Sequence, residues 1–159
     1  MLILRIAGFF VRHSGEPRIG VRGRRRNPGS IVGNHITDNT ASYNGGGLRA
    51  DGSLVIKHNV ITGNEVTAGS SSAAILISGE PTIHYNKIFD NTPYDGYNAN
   101  PYGSPNVNAT ENYWGTADAN EIAGRVWDWF DNCDLGIVDF TPYIPLGNAY
   151  VDHDMNVFD

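Results

Sequence analysis

The sequence predicts an all-β fold, a right-handed parallel β-helix (solenoid) of about four to five coils with a short C-terminal capping α-helix. Three observations carry that expectation. One phrase is written repeatedly: SIVGNHITDN at residues 30–39, LVIKHNVITGN at 54–64, TIHYNKIFDN at 82–91 and a shorter ATENYWG at 109–115. Aligned on one asparagine, the copies put Asn34, Asn59, Asn86 and Asn112 in a single column, at steps of 25, 27 and 26 residues. A period in the twenties marks a stack of similar coils, each too small to bury its own apolar face. The composition agrees: 19 glycines and 18% charged residues suit many short strands and tight turns.

At 159 residues the chain is one domain. Its net charge of −6 makes nucleic acid an unfavourable partner. Residues 18–26, RIGVRGRRR, hold five of the 11 basic residues and read as a solvated segment. The lone Cys133 has no internal disulfide partner, and no Cys/His metal spacing occurs. The apolar run LILRIAGFFV at 2–11 is interrupted by Arg5 and shows no convincing signal-peptide pattern. It falls short of the roughly 20 residues of a membrane span. No membrane span is expected.

Residues 1–29 form an irregular N-terminal segment with a partial coil, because SGEPRI at 14–19 echoes SGEPTI at 78–83. That alignment sets Val11 over Ile75 and makes residues 9–19 the partial coil. The open end of a solenoid exposes strand edges, so this end is where self-association into a homo-oligomer is expected.

Residues 30–116 carry the coils. Apolar residues alternate along each strand, as side chains on a half-buried strand must. Ile31, Ile56, Ile83 and Ala109 form one inward column, and Ile36, Ile61, Ile88 and Trp114 form another. Leu48 and Ala50 point inward with Ile75 and Ile77, while Arg49 and Leu76 point out. Asn39, Asn64 and Asn91 follow a strand and are expected to take the left-handed bend, their amides bonding from coil to coil as a structural ladder.

Residues 92–104 read as a loop carrying Tyr94, Tyr97 and Tyr102, and Asn108-Ala109-Thr110 matches a glycosylation sequon. Residues 117–147 form the C-terminal cap. Asp118 and Glu121 make a capping box, and Ile122, Val126, Trp129 and Phe130 then follow at helical spacing, which predicts a helix over 119–131. A last strand lies in LGIVDFTPYI at 135–144, and residues 148–159 are a polar, acidic tail.

With these residues in view, GGGLRADGS–LVIKHNVITGN and SGEPTIHYNKIFDN resemble the coils of right-handed parallel β-helix proteins of the pectin-lyase-like superfamily. The run NATENYWG…VDFTPYI looks like the closing segment of short bacterial members with an NYWG-type cap. The resemblance implies polysaccharide as the partner and an extracellular or cell-surface location. Members include pectate and pectin lyases, polygalacturonases, alginate epimerases, surface adhesins and periplasmic maturation factors.

The chemistry is thinner than the fold. A uronate lyase needs carboxylates to hold Ca²⁺ and a base for the C5 proton; a glycosidase needs two carboxyls at fixed separation. Asp38 and Asp90 share a column, but Gly63 separates them. No catalytic residues and no resident cofactor are therefore assigned, with Ca²⁺ implied only for a lyase. The densest polar group is Lys57 and His58, with His84 and Tyr85 one coil on. These four and Tyr94, Tyr97 and Tyr102 are the ligand-binding candidates, because aromatic rings and hydrogen-bonding tips suit sugars. The leading expectation is a non-catalytic module that binds carbohydrate or a protein partner by its outer sheet face. The alternatives are a small polysaccharide lyase or glycoside hydrolase, and a structural protein that self-associates through its N-terminal end.

Overall fold

The computed structural model of the chain describes residues 5–6, 9–10, 20–22, 29–43, 45–69 and 72–145. It is a right-handed parallel β-solenoid of about four turns. The first sheet stacks Gly20–Arg22, Gly45–Asp51, Ala73–Ser78, Gly96–Asn98 and Val126–Trp127 in that order. The second stacks Ser30–Val32, Val55–Lys57, Thr82–His84, Val107–Asn108 and Val138–Asp139. The third holds His35–Thr37, Val60–Thr62 and Lys87–Phe89. Every pairing within these three sheets is parallel.

The register follows the repeat. Ile31 lies opposite Ile56 and Ile56 opposite Ile83, while Ile36, Ile61 and Ile88 align in the third sheet. All six isoleucines are at most 1% exposed. Each contributes about 1.5–3 kcal/mol by leaving water, so the interior is a pile of aliphatic side chains, like on like. Trp114 (4% exposed) continues the Ile36–Ile61–Ile88 column at the C-terminal end.

Leu76 departs from simple alternation. It points away from the main core but is only 3% exposed, because it joins Ala73 and Tyr97 in a second cluster. Tyr94, Trp127 and Leu135 pack over that cluster, so this part of the first sheet's outer face is covered.

The left-handed bends fall elsewhere than expected. Asn39, Asn64 and Asn91 are not the residues with positive φ; Asp38 (φ 57°), Gly63 (66°) and Asp90 (55°), each one residue earlier, are. The reason is geometric. With the preceding residue left-handed, each asparagine turns its amide along the solenoid axis. Asn39 Nδ2 donates to Asn64 Oδ1 at 2.8 Å, and Asn64 Nδ2 to Asn91 Oδ1 at 2.9 Å. The first bend repeats this arrangement more deeply, with Asn34, Asn59, Asn86 and Asn112 joined by amide bonds of 2.9–3.1 Å. Those amides also take up backbone carbonyls of the coil below, such as Ile31 O from Asn59 and Ile56 O from Asn86. Polar groups inside the bend are thereby paired.

The cap is shorter in helix than predicted. The helix covers only Ala119–Ala123, capped by Asp118, whose Oδ1 accepts from Asn120 N at 2.8 Å. Gly124 ends it, and Val126–Trp127 then joins the first sheet opposite Gly96 and Tyr97. Phe130 is 77% exposed. Glu121 takes a 2.5 Å bond from the Thr116 hydroxyl instead of reaching back to close a capping box. The last strand is reduced to Val138–Asp139.

At the other end, Val21 lies opposite Ala50, so the strand stacked on Gly45–Asp51 is Gly20–Arg22. Phe9–Phe10 pairs antiparallel with Arg5–Ile6. The rest of the expected partial coil (residues 11–19), the basic run apart from Gly20–Arg22, and the tail at 148–159 lie outside the described residues. Among the described residues no helix is long and apolar enough to cross a membrane.

Candidate functional site

The first bend, between the second and third sheets, repeats one backbone conformation. Gly33 (φ 67°), His58 (56°), Tyr85 (56°) and Glu111 (59°) all occupy the left-handed region and stand one above the next. Their backbones are stitched together: His58 N donates to Tyr85 O at 3.0 Å, and Tyr85 N to Glu111 O at 2.9 Å. Gly33 shows that glycine satisfies this position, and a Cβ placed there would meet nothing within 4 Å. A side chain at left-handed φ costs roughly 1–2 kcal/mol, so three consecutive coils hold large polar side chains against a backbone preference for glycine.

Those side chains meet. The His58 and Tyr85 rings lie parallel, 11° apart in plane with centroids 5.7 Å apart, and His84 stands edge-on to Tyr85 at 6.0 Å. Glu111 accepts a hydrogen bond from the Tyr85 hydroxyl, and its Oε2 lies 3.7 Å from His84 Nδ1. Lys57 is exposed on the strand beside His58, directly opposite His84. The structure therefore gathers Lys57, His58, His84 and Tyr85 into one strip and adds Glu111 and Thr110.

Local electrostatics set the protonation states. Burial, and secondarily the Lys57 ammonium, lower the His58 pKa from its ordinary 6.5, which favours a neutral imidazole. Its Nδ1 is buried with no hydrogen-bond partner among the described residues. The bond to Glu111, followed by burial and the carboxylate's charge, raises the Tyr85 pKa and keeps the phenol protonated. Thr110, His84 and Glu111 have the order of a hydroxyl–imidazole–carboxylate relay, with Thr110 Oγ1 at 3.4 Å from His84 Nε2. Thr110 Oγ1 also donates to Asn108 Oδ1, at 3.0 Å.

Compared with family models, curated proteins and solved structures, the chain matches none.

The three tyrosines of residues 92–104 lie in different surroundings. Tyr97 is 7% exposed within the outer cluster, and Tyr94 packs on Trp127 with centroids 5.0 Å apart. Tyr102 is 70% exposed, its backbone tied to Asp134 O at 2.8 Å. Trp127, which covers the first two, carries no repeat signal. Glu111 and Thr110 are the strip members absent from the sequence-based candidates; their places in the columns of His58 and Tyr85 and of Lys57 and His84 are the available signal.

A concavity of about 430 Å³ lies beside the cap, lined in part by Asp90, Trp114, Glu121 and Arg125. Its strongest charges serve the scaffold: Arg125 Nε lies 3.1 Å from Asp95 Oδ2, and Asp95 Oδ1 accepts from Asn91 Nδ2 at 2.8 Å. Among the described residues no cluster of three or more His, Cys, Asp or Glu side chains is placed to hold a metal ion.

Proposed function

We propose that this chain is a non-catalytic β-solenoid module that binds carbohydrate through the strip formed by Lys57, His58, His84, Tyr85 and Glu111. The carrying observation is the left-handed backbone at His58, Tyr85 and Glu111, where Gly33 shows that no side chain is needed. Strain retained at a half-buried bend is a reason to look for function there. The tips on offer are a neutral imidazole, a protonated phenol, a carboxylate and an ammonium, which together accept from and donate to hydroxyl groups. The resemblance of the coils to pectin-lyase-like proteins, many of which handle polysaccharide, supports the same reading.

The test is a glycan array probed with the parent protein and with a His58→Gly/Tyr85→Gly double variant. Glycine fits the backbone at both positions, so the variant keeps its fold, checked by circular dichroism. Binding by the parent that vanishes in the variant supports the proposal. Equal binding by both proteins, or none by the parent across the array, contradicts it.

A further inference from the structure

We infer that the strip reads an extended, uncharged glycan laid along the solenoid axis, one contact per coil over three coils, and not a single sugar or a polyuronate. This rests on the carbohydrate reading above and adds the ligand's length, direction and charge.

The direction follows from register. His58, Tyr85 and Glu111 occupy the same bend position on successive coils, with His58 N bonded to Tyr85 O and Tyr85 N to Glu111 O. Hydrogen-bonded strands rise about 4.8 Å per step, so three such positions span roughly 10 Å. One pyranose cannot touch both ends of that span. A linear chain parallel to the axis touches all three.

The mode of contact follows from the rings. His58 and Tyr85 lie parallel and face each other along the column. One face of each ring is directed at its neighbour and is closed to a flat-lying sugar, so the contacts left to a ligand are hydrogen-bonding groups such as the Tyr85 hydroxyl, Lys57 and Glu111.

The charge follows from the ends. Lys57 and His58 lie on one coil and Glu111 two coils further on, with His84, opposite Lys57 and 3.7 Å from Glu111, and the protonated Tyr85 on the coil between them. A polymer with the same charge on every residue is attracted at one end and repelled at the other. An uncharged chain meets no such conflict, and its hydroxyls can donate to Glu111 and accept from Lys57.

Isothermal titration with oligomers of one to four residues, from cellulose, xylan, mannan, chitin and galacturonan, decides the matter. At least one neutral series should tighten tenfold or more between one residue and three, then level off. Galacturonan of three residues should bind at least threefold more weakly than the best neutral trimer, and Glu111→Gln should narrow that gap. A single residue binding as tightly as a trimer overturns the axial chain. Galacturonan binding as tightly as the best neutral trimer overturns the charge assignment. Either result leaves carbohydrate binding itself intact. Binding that is absent throughout the panel overturns both this inference and the reading on which it rests.

Discussion

Asn91 ends its column on Asp95: Asn91 Nδ2 donates to Asp95 Oδ1 at 2.8 Å, where the coils below offer another asparagine. Asp95 is buried, and its second oxygen is held by Arg125 from the cap, 3.1 Å away. Arg125 also donates to Asn91 O, so one side chain ties the cap to the last full coil. The solenoid thus replaces its missing rung with a charged pair.

Removing that tie leaves a buried carboxylate without its cation. Arg125→Met should lower unfolding free energy by about 2–3 kcal/mol, the scale of a charged hydrogen bond lost in a buried setting. Urea denaturation measures this, and an unchanged midpoint would show that the cap is held by apolar packing alone.

The deeper column should be more sensitive. Asn86 Nδ2 donates to Ile56 O, His84 O and Asn112 Oδ1, while its Oδ1 accepts from Asn59 N and Nδ2. Asn86→Leu strands all these partners out of water, at about 1–3 kcal/mol for each group left unpaired. The variant should lose most of its cooperative thermal transition by differential scanning calorimetry.

Ile61 is fully buried between Ile36 and Ile88. Ile61→Ala should cost about 2–5 kcal/mol, as for large-to-small changes in a close-packed core. Arg49→Ala, on an exposed strand position, should shift the urea midpoint little.

His58 gives a pH dependence with a definite sign. Its folded-state pKa lies below 6.5, through burial first and Lys57 second. As pH falls from 6.5 toward that lower value, the unfolded chain takes up more protons than the folded one. Stability from this group is therefore present above pH 6.5 and is lost on acidification. Imidazole NMR titration should place His58 below 6.5, and Lys57→Gln should move it part of the way back. A His58 titrating above 6.5 would contradict the buried, neutral assignment.

The stacking of coils was legible because the repeat fixes register: columns such as Ile36, Ile61 and Ile88 are visible as letters. Whatever does not repeat was hidden. Asp95 sits four residues after Asn91, outside the period, and nothing in its local sequence marks it as a column's end. Alternation told Leu76 to face outward but not that Tyr94, Trp127 and Leu135 cover it, since that contact joins distant segments. Val126 fits helical spacing as well as a strand, and sheet pairing of Val126–Trp127 with Gly96 and Tyr97 decided between them. The left-handed bends were assigned one residue late in the second column. Gly63, just before Asn64, marked the right position there, as Gly33 before Asn34 did in the first.

The account stands or falls on whether the rings at the first bend serve the backbone or something outside it. Relief at two left-handed positions gains roughly 2–4 kcal/mol, while the lost ring contact costs about 0.5–1.5 kcal/mol. The extra chain entropy of two glycines takes back another 1–2 kcal/mol or so. Equilibrium urea unfolding of the His58→Gly/Tyr85→Gly protein should therefore fall within about 1 kcal/mol of the parent, and about 1–2 kcal/mol above the matching double-alanine protein. A double-glycine protein several kcal/mol less stable than the parent, and no better than the alanine pair, would show that His58 and Tyr85 are there to hold the fold.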